Sequence, residues 1–66
     1  MRVKLEVLDV YGNVISTLVN SDLNASRHSY IWDGSDNRGN KVSNGTYLYR
    51  LTADNQVVSG KMTLIK

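Results

Sequence analysis

The chain has 66 residues, near the lower limit at which one domain can bury enough apolar surface to fold alone. It contains no Cys, which excludes disulfides, thiolate chemistry and Cys-based zinc sites. Its Lys and Arg residues are scattered singly and give a net charge of +2, which argues against a nucleic-acid partner. No apolar run approaches the roughly 20 residues of a membrane span, so no membrane insertion is expected.

The composition favours strands and turns. Val, Ile, Thr and Tyr are plentiful, whereas Asn, Asp, Ser and Gly fall in clusters between them. Pro is absent, so Gly and Asn must supply the backbone geometry of the turns. We therefore predict an all-β fold with no helix.

The first predicted strand covers residues 2–8, where polar and apolar side chains alternate strictly. The inward positions are Val3, Leu5 and Val7, and the outward positions are Arg2, Lys4 and Glu6. Residues 9–13 form a turn in which Gly12 takes a left-handed conformation. Because the strand begins directly after Met1, we interpret residues 1–66 as one module of a longer chain.

The second predicted strand, residues 14–19, breaks the period of two because Ile15 and Leu18 are three residues apart. A β-bulge that turns Leu18 inward explains the spacing. The alternative assigns Val14 and Leu18 to the core without a bulge. We favour the bulge.

The rest of the chain contains three more predicted strands. A polar loop, 20–27, precedes a strand at 28–33, and a long turn-rich loop leads to a strand at 46–53. A hairpin turn then joins it to a final strand at 57–66. Turn signals recur about every ten residues, which is typical of a small antiparallel sandwich of about five to seven short strands. The predicted core comprises Leu5, Val7, Ile15, Leu18, Tyr30, Trp32, Tyr47, Tyr49, Leu51, Met62 and Leu64.

Candidate catalytic groups are few. His28 is the only His and lies at an inward strand position, where a structural role is the commoner one. Asp33 and Asp36 could act as paired carboxylates, but Asp in a turn-rich loop usually binds its own backbone amides. No nucleophile motif is present. We predict that the chain is not an enzyme and needs no cofactor.

Two ligand-binding alternatives arise in the same region. Residues 33–39 are similar to a calcium loop, but Arg38 replaces the expected Gly and Asn44 replaces the bidentate Glu. We therefore predict no dedicated metal site and leave adventitious calcium binding open. The Tyr residues could form a carbohydrate-stacking platform, although core packing explains their inward positions more simply.

Several segments follow one another in the order of a known family. They are residues 3–12, Ile15 to Leu18, Trp32-Asp33-Gly34 with Asp36 and Gly39, Gly45 to Leu51, and Lys61 to Lys66. This order resembles the C-terminal sorting domain (type A) of proteins exported by the type IX secretion system of Bacteroidetes and related bacteria. That family overlaps in sequence with the immunoglobulin-like domain of the flagellar hook-capping protein. The resemblance covers nearly the whole chain.

The resemblance implies an immunoglobulin-like β-sandwich that directs an N-terminal cargo through the outer-membrane secretion machinery. It also implies passage through the periplasm and attachment to the cell surface or release outside the cell. The matching recognition residues are Gly45 and Tyr47 of the Gly-x-Tyr motif, with Lys61 and Lys66 in the last strand. These residues also suit a strand entry, a core and a protected edge. The Pro often found shortly before the Gly is replaced by Ser43-Asn44.

Three functions follow from these observations. The first is a non-catalytic C-terminal sorting and anchoring domain of a secreted protein, which would be recognised by strand addition. The alternative is a structural immunoglobulin-like module of a flagellar hook-capping or multidomain surface protein. A third function, an accessory carbohydrate-binding module of a secreted hydrolase, requires exposed aromatic side chains.

Overall fold

The computed structural model describes residues 1–22 and 30–65, and four strands form one antiparallel sheet there. The strands are β1 (Arg2–Leu8), β2 (Val14–Asp22), β3 (Gly45–Ala53) and β4 (Gln56–Leu64). Their order across the sheet is β2-β1-β3-β4, and each neighbouring pair is antiparallel. The described residues contain no helix, so the prediction of an all-β fold is confirmed.

β1 is a central strand, and its second half is buried on both faces. Val7 is 1% exposed on one face, while Glu6 and Leu8 are 3% and 5% exposed on the other. The prediction that Glu6 faces solvent is therefore wrong. The alternation of polar and apolar residues suggested that one face of β1 is exposed to solvent. However, Arg50 of β3 lies directly opposite Glu6, and its guanidinium covers the carboxylate.

β2 contains two irregularities in its ladder with β1. The pairing passes over Leu18, which confirms the predicted bulge, and it also passes over Ile15, where none was predicted. The bulge leaves Leu18 half-buried and places Val19 in the buried position, with 7% exposure. The strand continues to Asp22, beyond its predicted end at residue 19.

β3 and β4 form a regular hairpin joined by Asp54 and Asn55. Asp54 takes a left-handed conformation with φ of 54°, which the tight turn requires. All nine residue pairs of this ladder run without a register shift. On β4, Lys61 is exposed, whereas Met62 and Leu64 are half-buried.

The predicted strand at 28–33 is not observed. His28 and Ser29 lie outside the described residues, and residues 30–33 have an irregular backbone. Tyr30, assigned to the core, is 44% exposed. The alternation of large side chains here reflects a loop anchored at one point by Trp32, which packs on Tyr47, rather than a strand with one buried face.

The described residues contain four strands, not five to seven, and these form a single sheet. Residues 30–44 contribute loop structure and one isolated bridge, between Ser35 and Lys41. Of the predicted core, Val7 and Tyr47 are buried. The half-buried members are Leu5, Ile15, Leu18, Trp32, Tyr49, Leu51, Met62 and Leu64.

Candidate functional site

The turn between β1 and β2 is built around one carboxylate. Oδ1 of Asp9 accepts hydrogen bonds from the backbone N–H groups of Tyr11 and Asn13, each at 2.9 Å. The N–H of Gly12 donates to the Asp9 carbonyl at 3.1 Å, and the Asp9 N–H donates to the Asn13 carbonyl at 2.9 Å. Gly12 has φ of +88°, a conformation that favours glycine.

The same turn occurs a second time in the long loop, at residues 36–40. Oδ1 of Asp36 accepts from the N–H groups of Arg38 and Asn40 at 2.9 and 3.0 Å, and Gly39 has φ of +86°. Both turns share the pattern Asp-x-x-Gly-Asn. This repetition is visible in the sequence, and comparison of the two segments predicts the second turn.

The second turn docks on the outer edge of β2 through Asn37. The Asn37 N–H donates to the carbonyl of Ile15 at 3.0 Å, and its side-chain Oδ1 accepts from the N–H of Thr17 at 2.9 Å. Asn37 thus takes the place of a residue on a neighbouring strand. This part of the β2 edge is closed to other strands.

A shallow open groove of about 410 Å³ lies between this turn and β2. Its lining is mixed: Val14, Ile15, Asp36, Asn37, Arg38 and Val42. The Oδ1 atom of Asp36 is occupied by its own turn. The groove therefore presents no convergent set of reactive groups.

Two aromatic side chains fasten the ends of the long loop to the sheet. The rings of Trp32 and Tyr47 meet edge-on, with centroids 5.0 Å apart and planes at 72°. Nε1 of Trp32 donates to the carbonyl of Ser35 at 2.8 Å, and the Tyr47 hydroxyl donates to the carbonyl of Ser43 at 2.6 Å. The contact resembles the tyrosine corner of immunoglobulin-like domains, in which a Tyr hydroxyl bonds to backbone a few residues upstream.

The carboxylate of Asp33 also stabilises the long loop. Its Oδ1 accepts from the N–H of Ser35 at 3.0 Å and from the Ser35 hydroxyl, and Nζ of Lys41 lies 3.7 Å from Oδ2. In the described ranges no three His, Cys, Asp or Glu side chains come together in a way that could hold a metal ion. The carboxylates of Asp33 and Asp36 act as turn acceptors there.

Hydrogen bonding lowers two carboxylate pKa values in these loops. The N–H of Asn13 is the main cause for Asp9, and the Ser35 hydroxyl is the main cause for Asp33. A lowered folded-state pKa gives stability that is present above the unfolded value, about 3.9 for Asp, and is lost as pH falls through the folded value. We expect urea unfolding midpoints to fall as the pH is lowered from 6 through this range.

The Asp9→Asn variant tests this pH dependence. The amide oxygen can still accept both turn hydrogen bonds but carries no charge, so the loss of stability in acid should become smaller. Asp54→Asn is the matched control, since Asp54 lies in an exposed hairpin turn where its backbone N–H donates to the carbonyl of Arg2 at 3.4 Å. Equal acid sensitivity in the wild type and Asp9→Asn would show that this turn does not contribute.

The structure does not bring the predicted recognition residues onto one surface. Gly45 is exposed at the start of β3 with φ of +152°, and Tyr47 is buried two residues later. Lys61 is exposed on β4 opposite Leu48, so it projects from the face opposite that of Tyr47. Lys66 lies outside the described residues.

The two edges of the sheet differ. β2 is covered by Asn37 at residues 15–17, whereas no described residue pairs with the outer edge of β4. β4 also exposes Val57 and Val58, at 62% and 54%. Backbone groups on such an edge can accept a further strand. The outer edge of β4 is therefore the candidate interaction site.

These features define a structural β module whose loop carboxylates and aromatic hydroxyl are engaged in holding the fold. The described residues include no helix with the length and apolarity needed to cross a membrane. The chain matches the FlgD Ig-like domain over residues 1–57, and it belongs to that family.

Two curated relatives agree with this assignment. The chain is 37% identical over 54 residues to the basal-body rod modification protein FlgD of Salmonella typhimurium and to that of Salmonella typhi. The match covers 82% of this chain but 23% of each relative. No solved structure matches the chain significantly.

The family assignment confirms that this chain is not an enzyme. It also supports the relation to the flagellar protein that the sequence resembles. Neither the family match nor these two relatives supports the type IX sorting domain, which was the first function predicted from the sequence. Of the predicted functions, the flagellar alternative is the better supported.

Proposed function

We propose that this chain is an immunoglobulin-like structural module of a flagellar hook-capping protein and acts by contact rather than by catalysis. The match to the FlgD Ig-like domain over residues 1–57 carries this proposal. The chain spans 23% of the length of its curated relatives, and in this proposal it is one module of a longer protein.

The geometry suits a module that must keep its shape under load. Nε and Nη2 of Arg50 donate to Oε1 of Glu6 at 3.1 and 2.9 Å, which ties β1 to β3 through side chains as well as backbone. Trp32 and Asn37 hold the long loop against β3 and β2. Each of these contacts joins segments that are distant in sequence.

We further propose that the sheet is one layer of an immunoglobulin-like sandwich. Burial of both faces at the end of β1 supports this, with Val7 at 1% exposure on one face and Leu8 at 5% on the other, although Arg2 and Lys4 at the start of the second face are exposed. In an antiparallel sheet with one solvent-exposed face, every second residue of a central strand is exposed. The long loop accounts for the cover near Tyr47, where Trp32 packs.

The sorting function, with secretion machinery and cargo as partners and the cell surface as destination, rests on sequence resemblance alone. The placement of Tyr47 and Lys61 on opposite faces does not favour it. A carbohydrate platform would need a row of exposed rings. Tyr11 and Tyr30 are exposed, at 87% and 44%, but Trp32 and Tyr47 pack against each other.

An in-frame deletion of residues 1–66 in the native host tests the proposal. Electron microscopy of the envelope should show basal bodies with absent or misshapen hooks, and swimming in soft agar should be lost. Reintroducing the wild-type segment at the same position should restore both. A tag elsewhere on the parent protein should show that the truncated protein still accumulates.

Normal hooks and swimming in the deletion strain, with the truncated protein at wild-type levels, would contradict the proposed function. A second strain carries a reporter protein fused upstream of residues 1–66. Protease-accessible reporter on the cell surface would favour the sorting function instead. Retention of the reporter inside the cell envelope, together with hook defects in the deletion strain, would support the flagellar module.

A further inference from the structure

We propose that the outer edge of β4 pairs with the same edge of a second copy of this chain. The two β4 strands run antiparallel about a twofold axis at Gly60 and join the two sheets into one of eight strands. This self-association goes beyond the proposed flagellar function and does not depend on it. It rests on four features of β4.

The first feature is the contrast between the sheet edges. At β2, Asn37 occupies the N–H of Thr17 and the carbonyl of Ile15, which removes two groups from any incoming strand. No described residue does the same for β4, whose nine residues are paired on one side only. Of the two edges, β4 is the one open to strand addition.

The second feature is that β4 lacks the usual protection of an edge strand. Such strands are commonly blunted by Pro, by bulges or by several charges. Residues 56–64 contain no Pro, run without a register shift and carry one charged residue, Lys61. Val57 and Val58 are 62% and 54% exposed. This strand is regularly paired and partly apolar.

The third feature is self-complementarity. With the twofold axis at Gly60, Val58 lies opposite Met62 of the other copy, and Lys61 lies opposite Ser59. An axis at Lys61 would instead place two Lys residues directly opposite each other, which is destabilising. The charge of Lys61 therefore disfavours the register centred on Lys61, and the register centred on Gly60 avoids this repulsion.

The fourth feature lies at the proposed axis. The Tyr49 ring covers Gly60: a Cβ built on Gly60 would stand 2.5 Å from the Tyr49 hydroxyl. Opposed residues of antiparallel strands have Cα atoms about 4.5 to 5.5 Å apart. The two Tyr49 hydroxyls would thus approach across the axis, within reach of a hydrogen bond. Glycine leaves room for both rings.

Sedimentation velocity on the 66-residue chain from about 10 µM to about 1 mM tests the proposal. Pairing by one strand buries little area, so a weak dimer is expected, with its population rising across this range. Hydrogen exchange at both ends of the range should show concentration-dependent protection of β4 amides and none at β2.

Charge variants test the register. In this arrangement residue 57 lies opposite residue 63 of the other copy, and both side chains are exposed. We expect V57K/T63E to dimerise at least about fourfold more tightly than V57K/T63K, because two symmetric pairs change from like to opposite charge. Thr46 pairs with Thr63 but lies on β3, one strand away from the proposed interface. V57K/T46E and V57K/T46K are therefore the matched controls, and their dimer affinities should differ little.

Several outcomes would overturn the proposal. The first is a chain that stays monomeric at about 1 mM. A second is equal affinity of the T63E and T63K variants, with circular dichroism showing both folded. A third is complete protection of β4 amides at a concentration where the chain sediments as a monomer, which would mean that the chain's own residues cover this edge.

Discussion

Replacing Arg50 with methionine is expected to lower the free energy of unfolding by about 3 kcal/mol, because it leaves a buried carboxylate without its main cationic partner. The Glu6 side chain is 4% exposed and receives two hydrogen bonds from the Arg50 guanidinium. Without Arg50, the remaining cation is Lys4, whose Nζ lies 3.6 Å from Oε2 and is itself largely solvated. Urea unfolding followed by Trp fluorescence measures the change.

Glu6→Gln is the matched variant and should cost less, about 1 kcal/mol. The neutral amide needs no counter-ion, and the Arg50 side chain, 41% exposed, can turn to water. The loss of stability in the double variant should be smaller than the sum of the losses in the two single variants. The difference is the coupling energy between Glu6 and Arg50. If Arg50→Met costs no more than Glu6→Gln, the Glu6 carboxylate is hydrated and this explanation fails.

Replacing Trp32 with alanine should also cost about 3 kcal/mol, at the lower end for a large aromatic residue because the ring is half-buried. The change removes the edge-on contact with Tyr47 and the hydrogen bond to the Ser35 carbonyl. The long loop then loses its anchor on the sheet. The loop amides, and the N–H of Thr17 that Asn37 caps, should exchange faster with solvent.

Two conservative variants separate the parts of this anchor. Trp32→Phe keeps an aromatic ring but loses the N–H donor, and Tyr47→Phe loses the hydroxyl that donates to Ser43. Each should cost about 1 kcal/mol, the typical value for one hydrogen bond. Unchanged exchange at Thr17 in Trp32→Ala would show that Asn37 docks on β2 independently of the Trp32 anchor.

The anchor and the open edge are connected through the protection of β2. While Trp32 holds the loop, Asn37 covers the β2 edge and β4 is the edge left for a partner. Loss of the anchor would expose a second edge, and Trp32→Ala is therefore expected to aggregate more readily than Arg50→Met at equal stability. Light scattering at matched fractions of folded protein distinguishes these two effects.

Local features of the chain could be predicted because they depend on near neighbours. The period of two defined β1, β3 and β4, and Gly12 marked the first turn. The spacing of Ile15 and Leu18 predicted the bulge in β2, because one extra residue is the simplest way to keep both near the core. The twin turn at 36–40 was equally local and could have been found by comparing it with residues 9–13.

The errors share a different physical origin. Alternating large side chains before Asp33 predicted a strand, yet a loop with one half-buried Trp produces the same pattern over so few residues. Tyr30 was placed in the core on the same reasoning and is exposed. A short apolar alternation does not distinguish a strand from an anchored loop, since the distinction depends on what packs against it.

The sequence by itself determined the all-β class, the non-catalytic character and the relation to the FlgD Ig-like domain, because composition, periodicity and family pattern are properties of the linear chain. The tertiary structure alone decided that Glu6 is buried, since Arg50 is its neighbour only in the order β2-β1-β3-β4 and lies 44 residues away. It likewise decided which edge is covered. Strand order is set by packing over the whole sheet, and edges exist only once that order is established.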